Sequence, residues 1–297
     1  MSSSTVNPAF DSGCGPVVLH NDLLIVPAYE GLLRSNQLDS LDVLFSVSDA
    51  ESLTKPGLGP WRQRLRLTLN VSGAGRTFYL KRFTNPPASV RREVRRAGYG
   101  AKSVAGLEWT WMHRLAGEGI PCVKPVAFGE DLHGSRERRS AILTAAVPGD
   151  SLERFADRWG DSDRGTVRRL ILLLAKLVAR LHGRGYIHRD LYLSHVFYDP
   201  TTGVEKSLCL IDLQRVIRPR WGRRRWIVKD LASLNYSAPG HLVSATDRIR
   251  WLKHYLDLRK LDIAARRLAR RVVGKTKRIA KHDRRRTARL QTQDGSQ

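Results

Sequence analysis

One central segment constrains the fold of this chain more than any other part of the sequence. Val167 to His182 places its apolar residues on one helical face, and a polar turn, His188-Arg189-Asp190, follows shortly after. Two short apolar runs, Val196 to Tyr198 and Leu208 to Ile211, are typical of paired strands, and the second run leads into Asp212. This order of helix, acidic turn, hairpin and second acidic residue predicts a helical domain whose polar groups lie in loops.

An earlier part of the chain has the pattern of a β-hairpin. Apolar and polar residues alternate in Leu65 to Val71, and Thr77 to Phe83 forms a second run after the turn Gly73-Ala74-Gly75. Apolar residues then recur at helical spacing over Ala105 to Leu115, which predicts a helix after the hairpin.

Two further strand candidates come before a break in the pattern. Val126 to Phe128 and Ala141 to Ala146 flank a charged segment, Gly129 to Arg139, which we expect to be rich in turns. Val147-Pro148-Gly149-Asp150 then ends the predicted sheet. The sequence therefore predicts an α+β chain in four parts: an N-terminal extension over 1–59, a β-rich lobe over 60–146, a helical lobe over 147–258 and a basic C-terminal helix or tail over 259–297.

Four residues in this order fit the needs of phosphoryl transfer. That reaction uses a cation on the nucleotide phosphates, a carboxylate beside the attacking hydroxyl and a second carboxylate that holds Mg²⁺. Lys81 on the second hairpin strand supplies the cation, and Glu108 on the next helix is placed to pair with it. Asp190 fits the first carboxylate and Asp212 the second. A single lysine or glutamate is usually only a solvated side chain, so it is the order of all four residues along the chain that indicates phosphoryl transfer.

Five short segments carry a resemblance to a known family. They are Tyr79-Leu80-Lys81, Leu107-Glu108-Trp109, the run from His188 to His195, Ile211-Asp212-Leu213-Gln214-Arg215, and the run from Arg225 to Ala232. Together they resemble the lipopolysaccharide core heptose kinases and the related Kdo kinases, over roughly residues 60 to 255. The resemblance implies a two-lobe protein-kinase-like fold, with a small β-rich N-lobe and a larger helical C-lobe. It also implies ATP-dependent phosphorylation of a sugar hydroxyl of the lipopolysaccharide inner core, on heptose or Kdo.

The resemblance implies a catalytic loop. His188, Arg189 and Asp190 would form it, with Asp190 accepting the proton of the acceptor hydroxyl. Asp230 would accept backbone hydrogen bonds from the same loop. The sequence has no Ala-Pro-Glu segment after the second acidic motif, which argues against peptide substrates.

ATP and Mg²⁺ are the implied cofactors. Lys81 and Glu108 would bind the nucleotide, and Asp212 would bind the metal. His195 stands where protein kinases have an Mg²⁺-binding Asn, so the resemblance assigns it to both ATP and metal, with a loop-to-backbone hydrogen bond as the alternative. The glycine loop that would cover the nucleotide has no clear match, since Gly57-Leu58-Gly59 lacks a third glycine.

The chain is strongly basic, with 52 Lys or Arg against 28 Asp or Glu and a formal charge of +24. Residues 259–290 hold fourteen Lys or Arg and two Asp, a net charge of 14 − 2 = +12. This charge attracts polyanions such as nucleic acid, anionic lipid or phosphorylated glycan, and by itself does not choose among them. The family resemblance implies a phosphorylated glycolipid acceptor and an anionic membrane surface as partners. The tail lacks interleaved aromatic residues that stack on bases, which disfavours nucleic acid. Its apolar stripe, Leu261, Ala265, Leu268 and Val272, fits interfacial binding or packing on the helical lobe equally well.

Neither a transmembrane span nor a secretory signal is predicted, so we expect a cytoplasmic protein, peripheral on the inner membrane if the family resemblance holds. The longest apolar run, Ile171 to Leu181, is short and interrupted by charges, and Met1 to Phe10 has no apolar core. Cys14, Cys122 and Cys209 are too far apart in sequence to form a paired metal-ligand motif.

Two other functions remain open from the sequence. An aminoglycoside- or choline-kinase-like phosphotransferase would share the scaffold, although such enzymes usually take cationic acceptors in acidic clefts. A degenerate kinase fold acting as a membrane or RNA adaptor would explain the poor glycine loop, but the joint presence of Lys81, Glu108, Asp190 and Asp212 argues against it.

Overall fold

The computed structural model describes residues 17–54, 59–71, 73–157, 164–202 and 207–294. The sequence features at Met1 to Phe10, Cys14 and Gly57-Leu58 lie outside these ranges. The chain divides into two compact units: unit 1 is Met1–Val147 with Asp212–Gln214, and unit 2 is Pro148–Ile211 with Arg215–Gln297.

Unit 1 is built on an antiparallel sheet whose described strands follow the order β1-β2-β6-β7-β5-β4-β3. The strands are β1 Val18–His20, β2 Leu23–Ile25, β3 Glu51–Ser52, β4 Arg62–Val71, β5 Ala74–Thr84, β6 Pro125–His133 and β7 Arg136–Ala145. The helices described in this unit are α1 Glu30–Ser35, α2 Leu41–Ser46, α3 Ala88–Ala97 and α4 Val104–Gly117. Helix α4 contains the helix predicted over Ala105 to Leu115, and Ser103 caps its first turn through Gly106 N.

The predicted β-hairpin is confirmed in β4 and β5, which pair in antiparallel register along their length. The alternation of the sequence buries Leu67, Leu69 and Phe78 in the core of unit 1. The same register places Lys81 opposite Arg64. Since directly opposite residues of a sheet share a face, two cations lie side by side there.

Residues 17 to 54, whose role the sequence left open, complete the core of unit 1. Strand β2 extends the sheet beyond β6, and Ile25 pairs with Ala127. Leu33 of α1 and Leu44 of α2 are fully buried in the same core cluster as the hairpin. Strands of three residues are too short to show a period, so the sequence pattern did not reveal them.

The expectation of a turn-rich segment over Gly129 to Arg139 is wrong. Strands β6 and β7 continue through it and are paired up to the turn that contains Gly134, whose φ is 59°. Its charged residues are accommodated by specific contacts. Glu137 is fully buried and accepts hydrogen bonds from Ser140 Oγ at 2.5 Å and from the backbone N–H of Val104 at 3.0 Å.

Unit 2 carries the longer helices and a small sheet. Its described helices are α5 Leu152–Asp157, α6 Arg164–Gly183, α7 Arg223–Ser237, α8 Ala245–Leu256 and α9 Ile263–Asp294. Its strands, β8 Asp150–Ser151, β9 Val196–Tyr198 and β10 Leu208–Leu210, lie in the order β10-β9-β8. The helix predicted over Val167 to His182 and the predicted pairing of β9 with β10 are both confirmed.

Gly149, the second residue of unit 2, has a conformation that a side chain would not tolerate. Its φ is 79°, and a Cβ at this position would lie 2.1 Å from the carbonyl oxygen of Tyr198. Glycine is therefore required where the chain enters β8.

An apolar cavity of about 350 Å³ lies within unit 2. Leu170 and Leu174 of α6, Leu252 of α8 and Val272 of α9 contribute to its walls. Its lining is almost wholly apolar, so it is shaped for a hydrocarbon group and not for a polar ligand.

Helix α9 packs along α7, which decides between the two readings of its apolar stripe. Ala265 is buried, Asn235 Nδ2 donates to Thr276 Oγ1 at 3.0 Å, and Tyr236 Oη donates to Asp283 Oδ2 at 2.6 Å. The stripe therefore faces the helical unit, and the basic residues of α9 remain outside. Within the described part of the chain, no helix is long and apolar enough to cross a membrane.

Candidate active site

Lys81, Glu108, Asp212 and Arg64 form one polar group in unit 1, which we call the Lys81 cluster. Lys81 Nζ donates to Glu108 Oε1 at 2.6 Å and to Asp212 Oδ1 at 3.0 Å. Strand β5 and helix α4 fix the first pair, because Lys81 lies in the central part of the sheet and Glu108 in the second turn of the helix. The pairing of these two residues that the sequence suggested is present in the structure.

Burial makes the Lys81 cluster electrostatically strong. The Glu108 side chain is 1% exposed and that of Lys81 is 15% exposed. Burial alone lowers the pKa of Lys81, but the carboxylates of Asp212 and Glu108 outweigh it, so the pKa of Lys81 lies above its ordinary value. Lys81 therefore remains a cation throughout the physiological pH range.

Asp212 is held between two cations. Arg64 Nη2 lies 3.4 Å from Asp212 Oδ2, while Lys81 contacts the other carboxylate oxygen. Asp212 has a φ of 57°, a left-handed conformation that is uncommon outside glycine. Sequence reasoning missed Arg64. Its position opposite Lys81 in the hairpin register is the signal that would have found it.

A second polar group, which we call the Asp190 cluster, consists of Asp190, Arg215 and Lys229 in unit 2. Arg215 Nη1 lies 2.9 Å from each carboxylate oxygen of Asp190, and Lys229 Nζ lies 3.5 Å from Oδ1. Lys229 Nζ also donates to the carbonyl oxygen of Arg189. Asp190 thus has two cationic neighbours, neither of which the sequence identified as a site residue.

Asp230 holds the loop that carries Asp190. Its buried carboxylate accepts from the backbone N–H groups of His188 at 2.7 Å and Arg189 at 2.8 Å. His182 Nε2 lies 3.3 Å from the same carboxylate. The role expected of Asp230, which was to accept backbone hydrogen bonds from this loop, is confirmed.

The two loop histidines make backbone contacts. The ring of His188 is buried, and its Nε2 lies 3.0 Å from the carbonyl oxygen of Ile211, to which it donates. His195 Nδ1 lies 2.7 Å from the carbonyl oxygen of Asp190, and the two imidazole rings stack with centroids 5.9 Å apart. The contact of His195 is the loop-to-backbone hydrogen bond considered as the alternative to metal binding. Its roles toward ATP and metal stay predictions.

The donor set around Asp212 suits Mg²⁺ bound together with nucleotide phosphates. Within the described ranges no three His, Cys, Asp or Glu side chains converge to hold a metal ion by themselves. Mg²⁺ at nucleotide sites is commonly held by one or two carboxylates plus substrate phosphates and water. Asp212 supplies one such carboxylate, but Lys81 and Arg64 beside it would repel a bare Mg²⁺, so these residues fit the ion only when nucleotide phosphates bring the balancing negative charge.

Comparison with known proteins gives a family and a fold. The model of the lipopolysaccharide kinase (Kdo/WaaP) family matches residues 62–255. The chain is 31% identical over 206 residues to the lipopolysaccharide core heptose(I) kinase WaaP of Escherichia coli K12, covering 66% of this chain and 77% of that protein. It is also 31% identical over 157 residues to the heptose(I) kinase WaaP of Pseudomonas aeruginosa, covering 51% of this chain and 59% of that protein.

A solved structure described as WaaP in complex with acyl carrier protein has the same fold. Its TM-score to this chain is 0.63 at 24% identity, and the match covers 88% of this chain and 98% of that one. The predicted α+β fold, kinase-like with a β-rich N-terminal part and a helical C-terminal part, is thereby confirmed.

Proposed function

We propose a reaction for this chain, which belongs to the lipopolysaccharide kinase (Kdo/WaaP) family and is therefore a kinase. It transfers the γ-phosphate of ATP to a sugar hydroxyl of the lipopolysaccharide inner core, on heptose or Kdo. The observation that carries the proposal is the Lys81 cluster. A buried lysine shared between Glu108 at 2.6 Å and Asp212 at 3.0 Å is a preformed cation beside a carboxylate, which phosphoryl transfer needs. The acceptor sugars proposed here come from the names of the family and of the relatives and not from the geometry of the site.

We assign the nucleotide to the Lys81 cluster. Lys81 binds the phosphates, Glu108 fixes the position of Lys81, and Asp212 holds Mg²⁺ with His195 as the second candidate ligand. When bound, Mg²⁺ neutralises charge on the phosphate oxygens. Arg64 adds a second cation beside Asp212 and strengthens the attraction for the nucleotide.

Asp190 is the proposed acceptor of the hydroxyl proton. His188 and Arg189 are positioning residues in this proposal, because their backbone N–H groups bind Asp230 and so fix the loop. Arg215 and Lys229 orient the Asp190 carboxylate until an acceptor hydroxyl takes their place beside it.

The test is a phosphorylation assay with purified protein, Mg²⁺, γ-labelled ATP and a panel of dephosphorylated core glycolipids. We expect label transfer by the wild type and a loss of at least about 100-fold in Asp190→Asn, the ordinary scale of general-base catalysis. Asp212→Asn should lose transfer as well, because it removes the metal ligand. Asp199→Asn, in the turn after β9, is the matched control and should keep full activity.

Full transfer by both Asp190→Asn and Asp212→Asn would exclude this assignment. Transfer to soluble aminocyclitols or choline, but not to any core glycolipid, would favour the aminoglycoside- or choline-kinase alternative. ATP binding without transfer to any acceptor, together with salt-dependent binding to RNA or liposomes, would favour the adaptor.

We further propose that the protein works as a peripheral protein on the cytoplasmic face of the inner membrane. The exposed basic residues of α9, such as Arg266 and Arg267, supply the attraction to anionic lipid. In this proposal residues 60–146 and 147–258 act as the two kinase lobes and residues 259–297 as the basic attachment.

An acyl carrier protein is a second proposed partner. The solved neighbour is WaaP in complex with acyl carrier protein, and unit 2 of this chain contains an apolar cavity of about 350 Å³ able to take an acyl chain. We expect Leu174→Arg, at the cavity wall, to abolish co-purification with acylated carrier protein. Equal capture of the acylated and the unacylated carrier by the wild type would contradict the cavity's role.

A further inference from the structure

A groove between α7 and α9 of unit 2 is lined mainly by cations. Its volume is about 860 Å³, and seven of its ten lining residues are Lys or Arg. Helix α7 contributes three of them, including Arg225 and Lys229, and α9 contributes four, including Arg270, Arg271 and Lys275. No carboxylate of the described residues lines it, so the groove concentrates positive charge around a space large enough for a ligand.

Most cations of the groove have no carboxylate partner among the described residues; Lys229, which lies 3.5 Å from Asp190 Oδ1, is the exception. Arg270, Arg271 and Lys275 form no ion pair with any carboxylate in the described ranges. Arg271 and Lys275 are four residues apart on one helix, a spacing at which like charges destabilise the helix. An anion bound in the groove would remove this repulsion.

Gly274 gives a second indication that the groove is kept open. It lies inside α9, where a glycine weakens a helix relative to alanine. A Cβ at Gly274 would meet nothing within 4 Å, so close packing in the protein does not require glycine. The glycine instead leaves the groove wall bare where Arg270, Arg271 and Lys275 surround it.

The groove adjoins the proposed catalytic loop within unit 2. Lys229 lines it and contacts both the Asp190 carboxylate and the carbonyl oxygen of Arg189. Trp226 also lines it, with the guanidinium groups of Arg189 and Arg225 at 5.3 Å and 5.0 Å from its ring centroid. A ligand in the groove therefore lies next to the residue that the proposed function uses as its base.

We propose that the α7–α9 groove binds phosphate groups of the sugar acceptor itself, and so selects a phosphate-bearing oligosaccharide and places its hydroxyl at Asp190. This inference rests on the proposed function, because it takes Asp190 to be the proton acceptor. A groove accepts a ligand that enters between two helices, whereas a flat basic surface suits lipid headgroups in a membrane plane. The groove therefore favours the sugar acceptor over lipid headgroups.

The first arm of the test measures binding without ATP or turnover. The probe is a deacylated, phosphate-bearing core oligosaccharide, titrated calorimetrically into the full chain, and the same probe after phosphatase treatment. The variant R270Q/R271Q/K275Q should bind the phosphorylated probe about tenfold more weakly, as expected for three exposed charge contacts. Binding of the dephosphorylated probe should change less than about twofold.

The matched control removes the same charge from the same helix outside the groove. K281Q/R285Q/R286Q lies further along the exposed face of α9 and should bind both probes like the wild type. Equal weakening in this control would mean that only the total charge matters, which would overturn the proposal. Weakening that appears only when phosphatidylglycerol vesicles are present would overturn it in favour of lipid headgroups.

The second arm measures turnover with detergent-dispersed acceptor. The groove variant should raise KM for a phosphorylated acceptor about tenfold while leaving kcat and KM for ATP unchanged. An unchanged KM alongside normal wild-type activity would overturn the groove and leave the proposed function intact. If the wild type phosphorylated no acceptor but the binding difference held, the proposed function would fail and the anion-binding groove would stand.

Discussion

Two residues of the site motifs, Arg189 and Asp212, hold their backbone in the left-handed region, with φ of 71° and 57°. Such a conformation in a non-glycine residue costs on the order of 1–3 kcal/mol and persists only where surrounding contacts impose it. For Arg189 the contact is visible, because its N–H and that of His188 both bind the buried carboxylate of Asp230. The shape of the proposed catalytic loop thus depends on a residue distant in sequence.

Asp230→Asn should therefore loosen the loop. The amide would offer one acceptor oxygen and would direct N–H donors at a backbone donor, so we expect the free energy of unfolding to fall by about 2 kcal/mol. Urea denaturation measures the change. Asp257→Asn is the control, because the Asp257 side chain is exposed. Its φ is 53°, a conformation that asparagine also tolerates. Equal stability of Asp230→Asn and the wild type would contradict this account of the loop.

The Lys81–Glu108 pair should behave as a coupled unit. Lys81→Met leaves the Glu108 carboxylate, only 1% exposed, without its cation, and breaking a buried pair in this way costs about 3–5 kcal/mol. The double variant Lys81→Met/Glu108→Gln removes both charges and should regain part of that stability. Activity should be lost in both, because neither retains Lys81, the proposed phosphate-binding cation. Additive losses of stability in thermal melts would contradict the coupling.

The sequence predicted the principal polar residues but not their neighbours. Lys81, Glu108, Asp190 and Asp212 were chosen from motif order, and the structure shows the contacts of three of them in the Lys81 cluster. Their roles in catalysis stay predictions. The contacts made by Arg215 and Lys229 depend on how loops fold back, which no local pattern records.

At the scale of elements, the start of α4 shows how the helix bearing Glu108 is fixed. Its first backbone donors are satisfied from three sides: Val104 N by Glu137, Ala105 N by Ser140 and Gly106 N by Ser103. Because the first N–H groups of a helix have no partner within it, these side chains anchor α4 to β7. The position of Glu108 therefore depends on residues in a neighbouring strand.

Glu137 should make stability depend on pH. Burial raises the pKa of Glu137 to about 7, against an ordinary value near 4.5. Between pH 4.5 and about 7 the folded state therefore binds more protons at Glu137 than the unfolded state does. The stability that this group contributes is present below about pH 4.5 and is lost as pH rises through about 7. Glu137→Gln should remove that part of the pH dependence in melting temperature. Exposed Glu153→Gln is the control, and identical profiles for Glu137→Gln and the wild type would refute the effect.

Elements with a clear period were predicted well, and those without one were not. The β4–β5 hairpin, α4 and α6 follow from alternation and helical spacing. The charged half of β6–β7 was expected to be turns because buried Glu137 looks like a loop residue until its partners on α4 are known. The boundaries of the four predicted parts stay predictions, although residues 17–54 share the core of unit 1.

At the scale of the whole molecule, charge dominates the behaviour expected in solution. The formal charge is +24, and half of that excess lies in residues 259–290, whose helix packs its apolar stripe on α7 and leaves its cations exposed. A surface of this kind attracts any polyanion at low ionic strength.

We therefore expect reversible attachment to anionic membranes. The protein should sediment with phosphatidylglycerol vesicles at about 0.1 M salt and be released at about 1 M, where the Debye length falls to about 3 Å. Phosphatidylcholine vesicles should not retain it at either salt concentration. Retention on anionic vesicles at high salt would contradict a purely electrostatic attachment and indicate insertion of apolar residues.

The backbone at Gly149 gives a way to separate two kinds of intolerance to mutation. Any other residue there collides with the Tyr198 carbonyl, so a saturation library scored for protein abundance in cells should be depleted at this codon. Asp190 is partly exposed and lies in the proposed catalytic machinery, so its variants should survive an abundance screen and be depleted only when growth requires the enzyme's product. Comparing the two screens, codon by codon, would distinguish positions selected for backbone space from positions selected for chemistry.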